Sequence, residues 1–145
     1  MGKNRYVDNP NTKTPIFGEI EQIVIGKTTI LAGNIYLRQG EHRGVNRGFG
    51  VVHIAAEHKK DLGKLGYDID NEEDIATYIA KIISPGATIH TEFDSLGGIK
   101  LEIQKRGVGM AAIQEKQDGQ GNIIYSVVTA YPGNAKGPKI GTLGK

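Results

Sequence analysis

The fold is decided by residues 87–132, ATIHTEFDSLGGIKLEIQKRGVGMAAIQEKQDGQGNIIYSVVTAYP. Four runs in this stretch have the length of a strand and read with a period of two, at 87–94, 98–107, 108–117 and 122–132. Turns that contain glycine, SLGG, RGVG and DGQGN, separate most of them. Because short links join antiparallel neighbours, the pattern predicts a four-stranded antiparallel meander.

Two helices are predicted ahead of this sheet. The second begins after Asn71, an N-cap residue followed by three acids in the first turn. An apolar stripe with helical spacing then runs along it: Ile75, Tyr78, Ile79, Ile82 and Ile83. The first helix is predicted over residues 51–62, with Gly63 as its stop.

Two further strands are expected nearer the N-terminus. One lies within residues 16–26, where a short helix over 19–23 is the alternative, and one lies within residues 28–40. The predicted class is therefore α+β, with helices packed on one face of a roughly four-stranded antiparallel sheet.

The composition fits a single domain. The chain has 145 residues, which is long enough to bury a hydrophobic core. It has no cysteine, so disulfides and thiolate chemistry are excluded. We expect a flexible lead-in at 1–15, one domain at 16–133 and a flexible basic tail at 134–145. The net charge of +2 is small, so any nucleic-acid site must come from local clustering of charge. No apolar run approaches the roughly 20 residues that span a bilayer, and residues 1–15 lack the apolar segment of a signal peptide, so we expect no membrane partner.

Two of the four histidines lie in the predicted first helix. His53 and His58 are five residues apart, which separates them by about 140° around a helix, so they are poorly placed to share a metal ion. The preceding loop, LRQGEHRGVNRGFG, is basic and rich in glycine, and its Arg38, His42, Arg43 and Arg47 suit an anionic phosphate ester. A solvated surface loop is the alternative interpretation.

Hydroxyl groups follow one side of the last predicted strand. Strict alternation over residues 122–132 places Tyr125, Val127, Thr129 and Tyr131 on one face of the sheet. If the helices cover the other face, Thr129 and Tyr131 have no structural task, and Lys100 stands in a similar position. Strand propensity alone also explains each of these residues.

Together these features resemble the Barnase–EndoU–colicin–RelE (BECR) superfamily of small endoribonucleases. The resemblance is narrower to the toxin domains of contact-dependent growth inhibition and related polymorphic toxins. It is carried by GNIYLRQGEHRGVNRGFGVVHIAAEH at 33–58 and YSVVTAYPG at 125–133, and it covers about residues 30–133.

The resemblance implies a BECR-like domain that cleaves RNA without a metal or cofactor. The 2′-hydroxyl would attack its own phosphate to give a 2′,3′-cyclic phosphate. His53 is the first candidate for the base, since an ordinary imidazole pKa near ~6.5 suits neutral pH. His58 and Tyr131 are candidates for the acid. Charge on the phosphate would be stabilised by Thr129, Lys100, Arg106 or Arg47.

Partners follow from the same resemblance. Tyr125, Tyr131 and Phe49 are expected to stack on unpaired bases, while Arg38, His42, Arg43 and Arg47 contact the RNA backbone. The implied substrate is transfer RNA, and a cognate immunity protein is expected. Whether a host activating factor is needed is left open. The domain would be exported as the C-terminal part of a larger effector and act in the cytoplasm of the target cell.

Two other classes of function stay open from the residues alone. One is a non-catalytic binding or structural module of a phage or secretion system. The other is a metal-dependent nuclease or hydrolase that uses His53, His58 and an acid such as Glu92 or Asp94.

Overall fold

The computed structural model describes residues 2–45, 47–93 and 99–144. The predicted SLGG turn and Asp94 lie outside these residues. Within them are three helices, α1 (Gly50–Glu57), α2 (Lys59–Lys64) and α3 (Glu72–Ile82). The strands of the described chain are β1 (Tyr6–Val7), β2 (Ile16–Ile20), β3 (Ile23–Ile25), β4 (Thr28–Ile30), β5 (Gly33–Arg38), β6 (Glu41–Gly44), β7 (Arg47–Phe49), β8 (Thr88–Phe93), β9 (Ile99–Lys105), β10 (Gly109–Gln117), β11 (Ile123–Tyr131) and β12 (Lys139–Thr142).

The α+β class is confirmed, but the sheet is larger than the predicted four strands. The meander β8–β9–β10–β11 is present with antiparallel pairing throughout. Around it the described chain forms an eight-stranded sheet in the order β1-β5-β11-β10-β9-β8-β12, with β2 also paired to β5. The join between β11 and β5 is parallel, with Ser126 opposite Tyr36. β2 and β5 lie within the strands expected in residues 16–26 and 28–40. β1 and β12 were not predicted, because their partners lie far away in the sequence.

The terminal segments take part in the sheet. Val7 pairs with Leu37 and is buried, so the expected lead-in includes a strand. In the expected basic tail, β12 pairs with β8, and Leu143 is buried. Neither segment has enough apolar residues for its short strand to stand out in the sequence.

The second helix is as predicted. The Asn71 side chain accepts hydrogen bonds from the backbone N–H groups of Glu73 and Asp74, which satisfies two donors of the first turn. The apolar stripe of α3 is buried against β9 and β10. We call the face of the sheet that joins this core the core face, and the opposite one the outer face. Ile103, Ala111 and Ala130 are paired neighbours on the core face.

The predicted first helix is divided in two. His58 has φ −124° and ψ 31°, which is not helical, and it ends α1 and precedes α2. The divided helix still buries Val51, Ile54 and Leu62 in the core, so the apolar pattern of residues 51–62 identified the buried side correctly.

A β-bulge changes the predicted faces of β11. Ala112 lies opposite Thr129 and Ile113 lies opposite Val127, so Val128 has no counterpart on β10. The side-chain alternation therefore reverses there. Thr129 and Tyr131 lie on the outer face as predicted, but the prediction was wrong for Tyr125 and Val127, which belong to the core.

Candidate active site

Two histidines meet where the β6–β7 hairpin leads into α1. The Nδ1 atoms of His42, on β6, and His53, in α1, are 3.0 Å apart, a hydrogen-bonding distance. His53 is only 3% exposed, whereas His42 is exposed. The pairing depends on Gly48, because a Cβ atom there would lie 2.9 Å from His53 Nδ1 and 2.2 Å from the Glu41 carbonyl oxygen. The hairpin thus brings an exposed imidazole against a buried one.

The surroundings of His53 favour its neutral form. Burial is the main cause that lowers its pKa, the charges of His42 and His58 lower it further, and Glu57 opposes them. In a neutral pair joined through Nδ1 atoms, one ring donates an Nδ1–H and therefore carries a lone pair on Nε2. The pair consequently offers one Nε2 acceptor and one Nε2–H donor.

His58 and Tyr131 form a second contact at the end of α1. Their rings stack with centroids 4.7 Å apart and planes inclined by 20°. His58 Nδ1 also lies 3.6 Å from Asp61 Oδ2, an ion pair when the ring is protonated. An imidazole and a phenol, both able to donate a proton, are thus held together at the C-terminal end of β11.

Thr129 lies two residues before Tyr131, on the strand against which α1 packs. Its Oγ1 is buried and has no hydrogen-bond partner among the described residues. An unsatisfied buried hydroxyl costs about 1–3 kcal/mol relative to a paired one, so it calls for an explanation. A water molecule or a ligand oxygen that reached this atom would supply the partner.

Arg38 and Phe49 connect the histidine pair to the outer face. The Arg38 guanidinium carbon is 4.0 Å from the centre of the Phe49 ring, and Phe49 directly precedes α1. Arg38 Nε donates to Ser126 Oγ at 2.8 Å, and Nη1 donates to Asn4 Oδ1 at 2.7 Å. Sequence reasoning missed Ser126 and Asn4, because their roles depend on the parallel β5–β11 join and on the placement of the N-terminus.

The other residues expected to contact RNA differ in their exposure. Arg43 is exposed and paired with Glu41 at 2.6 Å. Arg47 is exposed, and no acid of the described chain pairs with it. Tyr125 is buried and its hydroxyl donates to the Leu31 carbonyl at 2.6 Å, so its ring is not available to a base. Its candidacy depended on strict alternation, which the bulge interrupts.

The two expected cations on the meander lie apart from each other. Lys100 is exposed on β9, two residues from Glu102 and so on the outer face, about 10 Å from β11 by strand spacing. Arg106 is exposed in the β9–β10 turn. That turn lies at the end of the sheet where Tyr131 pairs with Met110, so Arg106 is closer to the His58–Tyr131 contact.

The described parts of the chain contain neither a metal-binding cluster nor a membrane-spanning helix. No group of three His, Asp or Glu side chains there is arranged to hold a metal ion. Glu92, an acid of the metal-dependent alternative, lies opposite Lys100. None of the helices in residues 2–45, 47–93 and 99–144 is long and apolar enough to cross a membrane.

Four acid–base side chains, and a hydroxyl that has no partner among the described residues, therefore lie on the β6–β7 hairpin, α1, the residue that follows it and β11. Such a set can move protons and stabilise negative charge on oxygen. Comparison of the chain with protein-family models, curated proteins and solved structures gives no match.

Proposed function

We propose that this protein is a metal-independent endoribonuclease, of the BECR-like toxin type that its sequence resembles. The observation that carries the proposal is the His42–His53 contact beside the strand that holds Thr129 and Tyr131. A pair of imidazoles in which one ring is exposed and one buried is suited to removing a proton near neutral pH.

His42, rather than His53, is the base in this proposal. Burial disfavours a charge on His53, so a proton taken up by the pair resides on His42. His42 Nδ1–H then donates to His53 Nδ1, which leaves the lone pair on His42 Nε2 to meet the RNA. His53 acts as a positioning residue that fixes the tautomer of His42.

The reaction is a transesterification at phosphorus. His42 Nε2 takes the proton of the 2′-hydroxyl, the O2′–P bond forms and the P–O5′ bond breaks. The leaving 5′-oxygen takes a proton from His58 or Tyr131. The products are a 2′,3′-cyclic phosphate and a 5′-hydroxyl. The proton from O2′ is then on His42, and the proton on O5′ has come from His58 or Tyr131.

Charge on the phosphate oxygens is stabilised by the Thr129 hydroxyl, with Arg47 and Arg106 as further donors. Thr129 suits this task because its oxygen lacks a partner within the described chain. Lys100 is a weaker candidate because it is on β9, with β10 between it and β11.

We infer the biological setting from the resemblance to BECR toxin domains. The substrate is a transfer RNA, and a cognate immunity protein, acidic where it meets the basic hairpin, protects the producing cell. The domain is delivered as the C-terminal part of a larger effector and acts in the cytoplasm of the target cell.

RNA cleavage in excess EDTA tests the proposal. We expect discrete cleavage by the wild-type protein, and a loss of about 10²–10⁴-fold in rate for His42→Ala, the usual contribution of a general base. His90→Gln is the matched control, since β8 lies three strands, about 14 Å, from β11. Intact RNA with the wild-type protein, or unchanged cleavage by His42→Ala, would refute the proposal.

A binding module is the second candidate, and the burial of His53 favours it. A buried histidine that already has a hydrogen-bond partner is often only structural. In that case neither the wild-type protein nor His42→Ala would cleave RNA, and the substitution would only lower the free energy of unfolding.

A further inference from the structure

Arg38 is partly buried and has no carboxylate partner within the described chain. Its guanidinium lies over Phe49 and donates to two neutral oxygens, those of Ser126 and Asn4. In the described chain no Asp or Glu pairs with it, although a buried charge usually has a counter-ion. Burial lowers the pKa of Arg38, yet a guanidinium keeps its charge at neutral pH. It is therefore a fixed cation with N–H groups left for an anion.

A groove of about 310 Å³ opens on the outer face beside Arg38. Its walls include Tyr6, Lys116 and Asp118. This volume is at the lower end of the range of about 300–1,000 Å³ typical of small-ligand sites. The groove holds two cations and one carboxylate, and that carboxylate already accepts hydrogen bonds from the backbone of Gln120 and Asn122. With two cations and one carboxylate, the groove has a net positive charge, which favours an anionic ligand.

An aromatic platform borders the same groove. The rings of Tyr6 and Tyr36 stack with centroids 4.5 Å apart and planes inclined by 15°. Tyr6 is 38% exposed and lines the groove, while Tyr36 supports it from the next strand. A rigid exposed ring next to fixed cations is the combination with which proteins bind unpaired nucleotides.

We propose that this groove is a nucleotide subsite for single-stranded RNA, in which a base stacks on Tyr6 and its phosphate lies between Arg38 and Lys116. The inference rests on the proposed nuclease and extends it, because it names an unpaired RNA segment as the substrate. Phe49 links the subsite to the reaction centre: its ring lies against Arg38, and a Cβ atom on the preceding Gly48 would lie only 2.9 Å from His53 Nδ1. The nucleotide bound in this groove therefore belongs to the same RNA strand as the scissile phosphate and is separated from it along that strand.

Binding of a non-cleavable RNA tests the subsite independently of catalysis. The probe is a short single-stranded 2′-O-methyl oligoribonucleotide, which lacks the attacking hydroxyl, and binding is followed by fluorescence polarisation. We expect Tyr6→Leu to weaken binding about tenfold, as the loss of one base–aromatic stack does, and Tyr6→Phe to bind like the wild type. Lys116→Gln should weaken binding and reduce its salt dependence, while Lys60→Gln, on α2, serves as the matched control.

The outcomes separate the subsite from the nuclease. If Tyr6→Leu and Lys116→Gln bind the probe as tightly as Tyr6→Phe and Lys60→Gln, the subsite is refuted even if the protein cleaves RNA. The same holds if the wild-type protein does not bind the probe, or binds its duplex form equally well. If the two variants lose binding but no RNA is cleaved, the subsite stands and the proposed nuclease fails. Circular dichroism of each variant shows that the fold is retained.

Discussion

A substitution at Thr129 should change stability and activity in opposite directions. Replacing Thr129 by Val removes a buried hydroxyl that has no partner in the described chain, so the free energy of unfolding should rise by about 1 kcal/mol. If the hydroxyl donates to the phosphate, the same change should lower the rate of RNA cleavage about 100-fold. Thermal unfolding and single-turnover cleavage measure the two effects.

Thr129→Ser is the matched variant, because it keeps the hydroxyl and loses only a methyl group. We expect it to retain most of the activity. Cleavage by Thr129→Val at the wild-type rate would remove Thr129 from the mechanism.

The histidine pair depends on a whole element, the β6–β7 hairpin. Gly48 has a φ of +147°, and a Cβ atom there would clash with the Glu41 carbonyl and the His53 ring. We expect Gly48→Ala to lower the free energy of unfolding by about 1–3 kcal/mol and to abolish cleavage, because it forces His42 away from His53. Chemical denaturation and RNA cleavage measure both effects.

Gly44→Ala is the control for backbone strain in the same hairpin. Gly44 also has a positive φ, +153°, but the nearest atom to its Cβ position is Arg47 Cδ at 4.0 Å. It therefore tests the unusual φ without the clash. If the two alanine variants behave alike, the close approach to His53 has no functional meaning.

The elements also show how far local sequence patterns reach. The Asn71 cap and the four alternating runs were readable, because capping and strand alternation are determined by neighbours in the chain. The hairpin was not recognised: its strands are short, and two of its glycines need positive φ values that the sequence does not reveal. For this reason His42 was expected only as a backbone contact for RNA, and its pairing with His53 was missed.

At the scale of the whole molecule, His53 should make stability depend on pH. Its pKa is lowered in the folded protein, so between that value and the ordinary value of about 6.5 the unfolded chain binds more protons. The free energy of unfolding should therefore fall as the pH drops through about 6.5 and reach its full loss below the lowered pKa. His53→Leu should lack this component when denaturation midpoints are compared across the range. A wild-type profile parallel to that of His53→Leu would contradict the assignment.

Long-range pairing accounts for most of what the sequence could not predict. Arg38 meets Ser126 only because β5 joins β11 in parallel, and Tyr6 meets Tyr36 only because the N-terminal strand adds to β5. Other helices or strands lie between these partners in the sequence, and no local pattern records which distant strands will pair. The four-stranded meander was therefore predictable, whereas the groove on its outer face was not.

The most direct measurement is cleavage, in excess EDTA, of an RNA that carries a single 2′-deoxy nucleotide at the mapped cleavage position. If the 2′-oxygen is the nucleophile and His42 takes its proton, the unmodified RNA should be cut to a 2′,3′-cyclic phosphate and the modified RNA should stay intact at that position. Equal cleavage of the two RNAs, or no cleavage of either, would contradict the account.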